Sequence, residues 1–455
     1  MTLAQAAAVL GGERRGADVH FDAVCTDSRT VGKGDLFVAL RGERYDGHAF
    51  VSAAGAAGAV AALVDHAYRE HPGATLPVAV VADTTAALAA LAAHWRRQFR
   101  IPLIAVAGSN GKTTVKEMIA ACLREHYGDA AVLATRGNLN NHIGLPLTLL
   151  ALREPHRVAV VEIGMNHPGE TAQLARMAAP TIALINNAQR EHQEFMRSVS
   201  DVAEEHASLI HALPAQGIAL INADDAHAGV WRAAAGARPL RDFGLWSGAV
   251  RARCVTGSGS SHMEVATPEE VASFDLPLAG EHNARNAVAA IAAATAAGAP
   301  LAACARALGR FVAVRGRLQL KTGVHGATLI DDTYNANPDS VRAAIDVLAL
   351  APGRKLLALG DMGEVGAHGM AFHEEVGAYA RAAGVERLYA LGELAAAAVR
   401  TFGAGGRHYA RIEELLADVR GELGPQTTLL VKGSRFMQME RVVRNFEIPR
   451  EKEKA

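Results

Sequence analysis

The sequence has few cysteines and no excess of charge of either sign. Its cysteines are widely spaced and form no CxxC pair; they are Cys25, Cys122, Cys254 and Cys304. This spacing argues against a disulfide framework or a zinc site and favours a reducing compartment. Lys and Arg (46) balance Asp and Glu (47), which gives a net charge of -1. Because nucleic-acid-binding proteins are usually basic, we expect no nucleic-acid partner.

The sequence also lacks a long apolar run. Its most apolar segment, AAGAAGAVAALV, is short, rich in Gly and Ala, and ends at Asp65. A membrane-spanning helix needs roughly 20 apolar residues. The N-terminal segment, MTLAQAAAVLGGERR, has neither the basic start nor the cleavage site of a secretory signal. We therefore expect a soluble, cytoplasmic protein with no stable membrane insertion.

Alternating strand and helix patterns predict an α/β protein of three domains. A length of 455 residues allows about two to four domains. Residues 1–98 carry short strand patterns and a helix from Thr84. Residues 99–313 and 314–455 each alternate apolar strands with helices. We predict a small α/β N-terminal domain, a central P-loop-type domain with a doubly wound, mostly parallel sheet, and a Rossmann-like α/β C-terminal domain.

Runs of apolar residues place the individual strands. The predicted strands are DLFVAL (35–40), LPVAVVA (76–82), IPLIAVAG (101–108), RVAVVEIG (157–164), TIALINN (181–187), GIALINA (217–223), ATLIDD (327–332), KLLALGD (355–361), ERLYALG (386–392) and TTLLVKG (427–433). We also predict a β-rich insert at about 240–280, two Ala-rich helices at about 282–310, a helix after Pro338 and a frayed charged tail, PREKEKA.

The clearest functional signal is AVAGSNGKTTVKEM at residues 105–118, where a buried strand runs into a glycine turn and then a helix. Glycines let backbone N–H groups crowd around phosphate oxygens, and the helix N-terminus favours an anion. Only two residues separate Gly108 from Gly111, which is shorter than the common GxxxxGK[ST] loop. The alternative is a plain glycine-rich turn. We predict an ATP phosphate loop made of Gly108, Ser109, Asn110, Gly111, Lys112, Thr113 and Thr114.

Two further polar residues follow predicted strands and belong to the same edge of the sheet. Glu162 ends the strand VAVVE, beside the phosphate loop in such folds, and a carboxylate there suits Mg²⁺. Its alternative role is to cap the turn MNHPGE. His192, in REHQEF, follows TIALINN. From the residues alone, a metal ligand and an ordinary hydrogen-bonding histidine explain His192 equally well.

These motifs resemble those of the Mur ligases, which build the stem peptide of bacterial cell-wall precursors. The phosphate loop resembles the short loop of that family, and similar segments cover nearly the whole chain. They are TDSRTVGKGDLFVALRGERYDGHAF (26–50), GNLNNHIGLPLTLL (137–150), VEIGMNHPGE (161–170), LAGEHNARNAVAAIAA (278–293), GRLQ (316–319), DDTYNANPDSVRAAI (331–345), LGDMGEVG (359–366) and VKGSRFMQME (431–440). The four C-terminal segments of this list, from GRLQ (316–319) onwards, resemble the branch of the family that adds D-alanyl-D-alanine.

The resemblance implies an ATP-dependent ligase with ATP and Mg²⁺ as cofactors. Its substrates would be UDP-N-acetylmuramoyl-tripeptide and D-alanyl-D-alanine. ATP would convert the tripeptide carboxylate into an acyl phosphate, which the dipeptide amine would attack. Positive groups must offset the repulsion between the two anions. Members of the family are usually monomers, so the resemblance implies a monomer.

The resemblance also assigns roles to individual residues. Lys112, His192 and Arg317 would be catalytic, while Thr113, Glu162 and His192 would bind Mg²⁺. Asn283 and Asn286 would hold adenine, and Arg317 and Asp332 would reach the γ-phosphate and the ribose after domain closure. The implied substrate-binding residues are Asp27, Ser28 and Arg29 for UDP, together with Asn140, Asn141, Asn335, Asn337, Lys432 and Arg435. The segment NANP is also good helix-capping sequence.

One position departs from the family pattern. Many Mur ligases carry a carbamylated lysine in the helix after the metal-site histidine, where it helps to bind a second Mg²⁺. Here that helix reads DVAEEHASLI, with His206 at the lysine position, and no lysine lies between Lys116 and Lys321. His206, Glu204, Glu205 or water are the candidate replacements, and the other alternative is a weaker second metal site.

Two other functions fit parts of the same pattern. One is a related amide ligase, either of the folylpolyglutamate type or adding the third residue of the peptide. The TDSR segment argues against the first, and the absence of a DNPR-type motif argues against the second. The other is a regulatory P-loop NTPase, which would hydrolyse ATP without an amine.

Overall fold

The computed structural model describes residues 1–69 and 76–449, and their strands form three separate sheets. Most of the charged tail, residues 450–455, lies outside the described residues. No helix in the described ranges is both long and apolar enough to cross a bilayer. The three sheets follow one another along the chain, in agreement with the α/β class predicted from the sequence.

The N-terminal sheet orders its strands β1-β5-β4-β3-β2, with only β1 antiparallel to its neighbour. Its elements are α1 (Leu3–Leu10), β1 (Glu13–Arg15), β2 (Ala23–Cys25), β3 (Asp35–Val38), α2 (Val51–Ala57), β4 (Ala61–Asp65), β5 (Val78–Val81) and α3 (Thr84–Arg96). Helix α3 begins where the sequence predicts, because the Asp83 carboxylate accepts hydrogen bonds from the backbone amides of Thr85 and Ala86.

The first half of the central domain carries the phosphate loop. Its elements are β6 (Leu103–Ala107), α4 (Lys112–Tyr127), β7 (Val132–Ala134), α5 (Gly144–Leu150), β8 (Val158–Glu162), α6 (Glu170–Ala178), β9 (Ile182–Ile185) and α7 (Val199–His211). Strands β6, β8 and β9 are buried throughout, which explains their continuous apolar runs. Strand β6 lies between β8 and β9. The chain changes direction across the sheet at β6, and such switch points are where α/β folds bind ligands.

The second half of the central domain completes the sheet, whose order is β14-β13-β12-β11-β10-β9-β6-β8-β7. Its elements are β10 (Ile218–Asn222), α8 (Ala228–Ala235), β11 (Leu240–Gly244), β12 (Val250–Thr256), β13 (Ser261–Ala266), β14 (Val271–Leu276), α9 (Glu281–Ala296) and α10 (Leu301–Gly309). The predicted β-rich insert is confirmed. Strands β12, β13 and β14 are antiparallel, and β13 alternates buried and exposed residues because one face is solvated.

The C-terminal sheet orders its strands β15-β16-β20-β17-β18-β19, with β15 antiparallel to β16 and the others parallel. Its elements are β15 (Gln319–Thr322), β16 (Thr328–Asp332), α11 (Pro338–Ala349), β17 (Arg354–Gly360), α12 (Gly369–Ala382), β18 (Arg387–Leu391), α13 (Ala396–Phe402), β19 (Gly406–Tyr409), α14 (Ile412–Arg420), β20 (Thr427–Lys432) and α15 (Glu440–Phe446). The register places Asp332 opposite Lys432 at the carboxyl ends of β16 and β20.

A charged clamp joins the central and C-terminal domains. Arg190, in the loop after β9, donates to both carboxylate oxygens of Asp339 and pairs with Glu375 at 2.6 Å. Its guanidinium also lies 5.2 Å from the centre of the Phe372 ring. The hydrogen bonds to Glu375 and Asp339 raise the pKa of Arg190, so its guanidinium stays charged throughout the physiological range.

We predict that Arg190→Gln loosens this domain interface. A charge-assisted hydrogen bond contributes about 1.5–3 kcal/mol, so losing the charge should raise the population of separated domains about tenfold or more. The measurement is the radius of gyration by small-angle X-ray scattering, which should increase. The control is Arg232→Gln, because Arg232 pairs with Asp242 inside the central domain. Identical scattering from Arg190→Gln and the wild type would contradict the prediction.

Candidate active site

The phosphate loop has the backbone geometry of an anion cradle and is braced by the neighbouring strand. Gly108 and Gly111 have φ angles of 138° and 83°, and Gly111 precedes the first turn of α4. After β9, the Asn187 side-chain oxygen accepts from the Asn110 amide at 2.8 Å, and the Asn186 side chain donates to the Asn110 carbonyl at 2.9 Å. The sequence analysis did not single out this asparagine pair, although it ends the predicted strand TIALINN.

Lys112 is held by a carboxylate that the sequence analysis missed. Its ammonium group lies 3.2 Å from Glu191 Oε2 and 3.1 Å from the Ser109 carbonyl oxygen, and it also donates to the Gly108 carbonyl. Only 6% of Glu191 is exposed. Burial by itself raises the pKa of Glu191, but Lys112 and the two nearby histidines outweigh it and lower that pKa to about 2. The carboxylate is therefore ionised.

Glu162 presents a free oxygen to the same cavity. Its Oε1 accepts a 2.7 Å hydrogen bond from the Asn140 side chain, while Oε2 is buried and has no hydrogen-bond partner among the described residues. The backbone amide of Glu162 donates to Thr135, whose carbonyl accepts from the buried ammonium of Lys116 at 2.7 Å. Because Mg²⁺ prefers carboxylate and phosphate oxygens, a fixed carboxylate with one free oxygen beside the phosphate loop fits that ion.

His192 reaches the cavity from the loop after β9 and has a strained backbone. Its φ angle is 49°, and Glu364 opposite it has a φ angle of 58°; both values are unusual for residues other than glycine. His192 Nδ1 lies 2.7 Å from Glu364 Oε2, and Nε2 lies 3.7 Å from Glu191 Oε2. Glu364 belongs to the C-terminal domain, so His192 lies where the two domains meet.

The C-terminal domain completes this cavity. Arg317, Asn335 and Asn337 line it together with Ser109–Thr113, Glu162 and His192. The Arg317 guanidinium lies 4.1 Å from the centre of the Tyr334 ring. Asn337 caps α11, as its sequence allows, and also donates to the Asn110 side chain at 2.9 Å. Asn140 and Asn141 line the same cavity.

A second cavity lies on the other side of the phosphate loop. It is lined by the remaining residues predicted to hold the nucleoside together with parts of the loop, namely Asn110, Gly111, Thr114, Asn283, Asn286, Arg317 and Asp332. The Asn286 side-chain oxygen accepts from Asn186, which ties α9 to the loop. His282, which the sequence analysis did not assign, also lines this cavity, and burial lowers its pKa to about 4.

Three groups of predicted substrate-binding residues lie outside the main cavity. Lys432 lines the second cavity, where its ammonium pairs with Asp332 at 2.5 Å and donates to the Asn335 carbonyl. Arg435 lies 5.9 Å from the centre of the Tyr334 ring, outside the main cavity. The predicted UDP contacts follow β2 in the N-terminal domain, away from the lining of either cavity; they are Asp27, Ser28 and Arg29.

Within residues 1–69 and 76–449, no three His, Cys, Asp or Glu side chains converge as a ready-made metal site. Side chains here therefore offer only part of a coordination shell. Mg²⁺ commonly binds proteins through one or two carboxylates and takes its remaining ligands from substrate phosphates and water. The donor set around Thr113 and Glu162 is compatible with that mode.

Comparison with known families gives three matches along the chain. Residues 20–96 match the model described as the Mur ligase family catalytic domain. Residues 106–294 match the Mur ligase middle domain, and residues 316–435 match the Mur ligase glutamate ligase domain. The matches follow the order of the three sheets.

Individual relatives are similar over nearly the full length. The chain is 40% identical over 449 residues to the UDP-N-acetylmuramoyl-tripeptide–D-alanyl-D-alanine ligase of Escherichia coli (strain K12), and the match covers 98% of both chains. The crystal structure of MurF from Acinetobacter baumannii superposes with a TM-score of 0.90 at 33% identity, covering 98% of both chains. The crystal structure of MurF ligase from Thermotoga maritima in complex with ADP superposes with a TM-score of 0.81 at 26% identity, and the match covers 93% of this chain and 96% of that one.

The two ends of α4 offer a matched test of the phosphate loop. A Cβ at Gly111 would lie 2.5 Å from the Asn286 side-chain oxygen, whereas a Cβ at Gly128 would meet no atom within 4 Å. Both glycines have positive φ, so each change to alanine should cost about 1–2 kcal/mol of unfolding free energy. We predict that only Gly111→Ala also weakens ADP binding, by tenfold or more, as measured by calorimetry. Equal ADP affinity in the two variants would contradict this assignment.

Proposed function

The chain belongs to the Mur ligase family, and from that premise we propose how its residues carry out the reaction. It is an ATP-dependent peptide ligase of peptidoglycan synthesis that joins D-alanyl-D-alanine to UDP-N-acetylmuramoyl-tripeptide. We propose that it acts as a cytoplasmic monomer and that its domains span residues 1–98, 99–313 and 314–455.

The reaction needs an activated carboxylate, because resonance and negative charge make a carboxylate a poor electrophile. Transfer of the γ-phosphoryl group of ATP to the tripeptide carboxylate breaks the bond to ADP and forms an acyl phosphate. The dipeptide amine then attacks the acyl carbon and phosphate leaves, which gives UDP-N-acetylmuramoyl-pentapeptide. The protein has to bring two anions together and stabilise the charge that moves between them.

In our proposal the phosphate loop and Arg317 hold the transferred group from opposite domains. The backbone amides of residues 108–114 receive the β- and γ-phosphates, and Lys112 supplies the positive charge. Arg317 reaches the γ-phosphate across the cavity. The observation that carries the proposal is that Lys112, Glu162 and Arg317 line one cavity, although they belong to two domains.

We assign Mg²⁺ binding to Thr113, Glu162 and His192, which line one cavity. When bound, the ion would neutralise phosphate charge and withdraw electrons from the phosphorus. The protein's own part is visible in the hydrogen bonds: Asn140 orients one oxygen of Glu162 and leaves the other free. The His192 ring lines the same cavity, between Glu364 and Glu191.

We propose most of the remaining substrate contacts from their positions in the two cavities; Arg435 and the UDP contacts lie outside both cavities. Adenine binds at Asn283 and Asn286, and the ribose binds at Asp332, which Lys432 holds in place. Asn140, Asn141, Asn335 and Asn337 face the peptide substrates in the main cavity, and Arg435 flanks them beside Tyr334. The UDP moiety binds near Asp27, Ser28 and Arg29.

Product analysis tests this function directly. The enzyme is incubated with ATP and Mg²⁺, with each substrate alone and with both, while phosphate release and product mass are measured. We expect rapid phosphate release only with both substrates, together with UDP-N-acetylmuramoyl-pentapeptide. Release without an amine would indicate a regulatory NTPase, and release with a single amino acid in place of the dipeptide would indicate a related ligase.

Arg317→Ala tests the contribution of the C-terminal domain. Removing one preorganised donor to a developing charge costs about 100- to 1,000-fold in kcat, so we predict a loss of that size while the fold is retained. Arg310→Ala is the matched control, because Arg310 is an exposed arginine seven positions away that pairs with Glu125 on the surface. Unchanged kcat in Arg317→Ala would refute the role of this residue.

A further inference from the structure

Glu191 and Glu162 flank the phosphate loop on opposite sides. Strand β6 leads into the loop, β8 on one side ends at Glu162, and β9 on the other side leads to Glu191. Both carboxylates are more than nine-tenths buried and line the main cavity. Glu162 Oε2 has no hydrogen-bond partner among the described residues, whereas Glu191 faces His206 with Oε1 and Lys112 with Oε2.

His206 stands directly behind Glu191. This histidine lies on α7, is 2% exposed and places Nε2 3.2 Å from Glu191 Oε1. The acidic residues of helix α7 itself do not line the cavity. Glu205 accepts from the amides of Gly169 and Thr171 at the start of α6, and Glu204 is exposed. Glu191, which comes from the preceding loop, brings a carboxylate to His206, and Glu364 of the C-terminal domain brings another to His192.

The charge of Glu191 needs a new partner when nucleotide binds. In the structure, the ammonium group of Lys112 pairs with the Glu191 carboxylate. A nucleotide phosphate in the loop attracts the same ammonium group, and the buried carboxylate would then be left with neighbouring histidines and an added negative charge nearby. A buried charge without compensation is strongly unfavourable. A cation that arrives with the phosphates removes this conflict.

We propose that Glu191 is a divalent-cation ligand on the β9 side of the phosphate loop, with His192 beside it and His206 orienting its carboxylate from behind. This proposal rests on the function proposed above. It concerns the second Mg²⁺ of the family, whose usual lysine is replaced here by His206, and it assigns Glu191 as the ligand that takes the place of that lysine. Glu191 pairs with Lys112 until nucleotide is bound and faces the cation afterwards. His206 is a positioning residue, because its ring contacts the carboxylate and lies on the side away from Lys112.

Counting bound Mn²⁺ by electron paramagnetic resonance tests the proposal without turnover. The full-length protein is titrated with Mn²⁺ in the presence of a non-hydrolysable ATP analogue and UDP-N-acetylmuramoyl-tripeptide. We expect a second ion in the wild type and its loss in Glu191→Gln. His206→Gln should keep the second ion with an affinity about 10- to 100-fold lower, as for other residues that orient metal ligands. Glu191→Asp, which keeps the charge, should restore binding in part.

The matched control is Glu204→Gln, which removes an exposed carboxylate from the same helix as His206 and should leave the ion count unchanged. The proposal is overturned if the wild type binds a single ion, or if Glu191→Gln retains both. Tighter nucleotide binding by Glu191→Gln with an unchanged ion count would show that Glu191 is only a counter-ion for Lys112. Failure of the wild type to bind the nucleotide analogue would instead refute the proposed function.

Discussion

Charge balance around Lys112 is the constraint on which the rest of the site depends. A phosphate loop needs a cation free to meet phosphates, yet a buried ammonium group needs a partner before they arrive. Here Glu191 and two backbone carbonyls provide that partner. The arrangement braces the loop, because the side chain that we assign to phosphate binding also donates to the carbonyl oxygens of Gly108 and Ser109.

The domain interface depends on the same loop region. Arg190, His192 and Glu194 are close together in sequence after β9, and all three contact the C-terminal domain. The residues that hold the domains together are thus immediate neighbours of Glu191, which pairs with Lys112 of the phosphate loop. A movement of the C-terminal domain would therefore shift His192 and Glu191 directly, without a long chain of intermediate contacts. Through this proximity, the domain closure that we expect would be coupled to assembly of the site.

Local patterns predicted much of the fold, whereas pairing between distant residues limited the prediction of the site. The strand before Gly108 and the helix after Gly111 are local, and the continuous apolar run of β8 predicted that Glu162 ends a buried strand. Helix α1 was missed, although Thr2 and Gln5 form a capping box there and offered a detectable signal. The contact of Glu191 with Lys112 could not be predicted from the residues around His192, because Lys112 lies 79 positions earlier in the chain.

The sequence by itself determined the α/β class, the phosphate loop, the strand-end carboxylate and the family, because each depends on residues adjacent in the chain or on motifs. It also showed that no lysine can occupy the place of His206. Tertiary structure decided which side chains meet. The pairing of β16 with β20 joins Lys432 to Asp332, and the β9-β6-β8 order sets Glu191 and Glu162 on opposite sides of the loop. Strand order and register set these distances, and no local pattern encodes them.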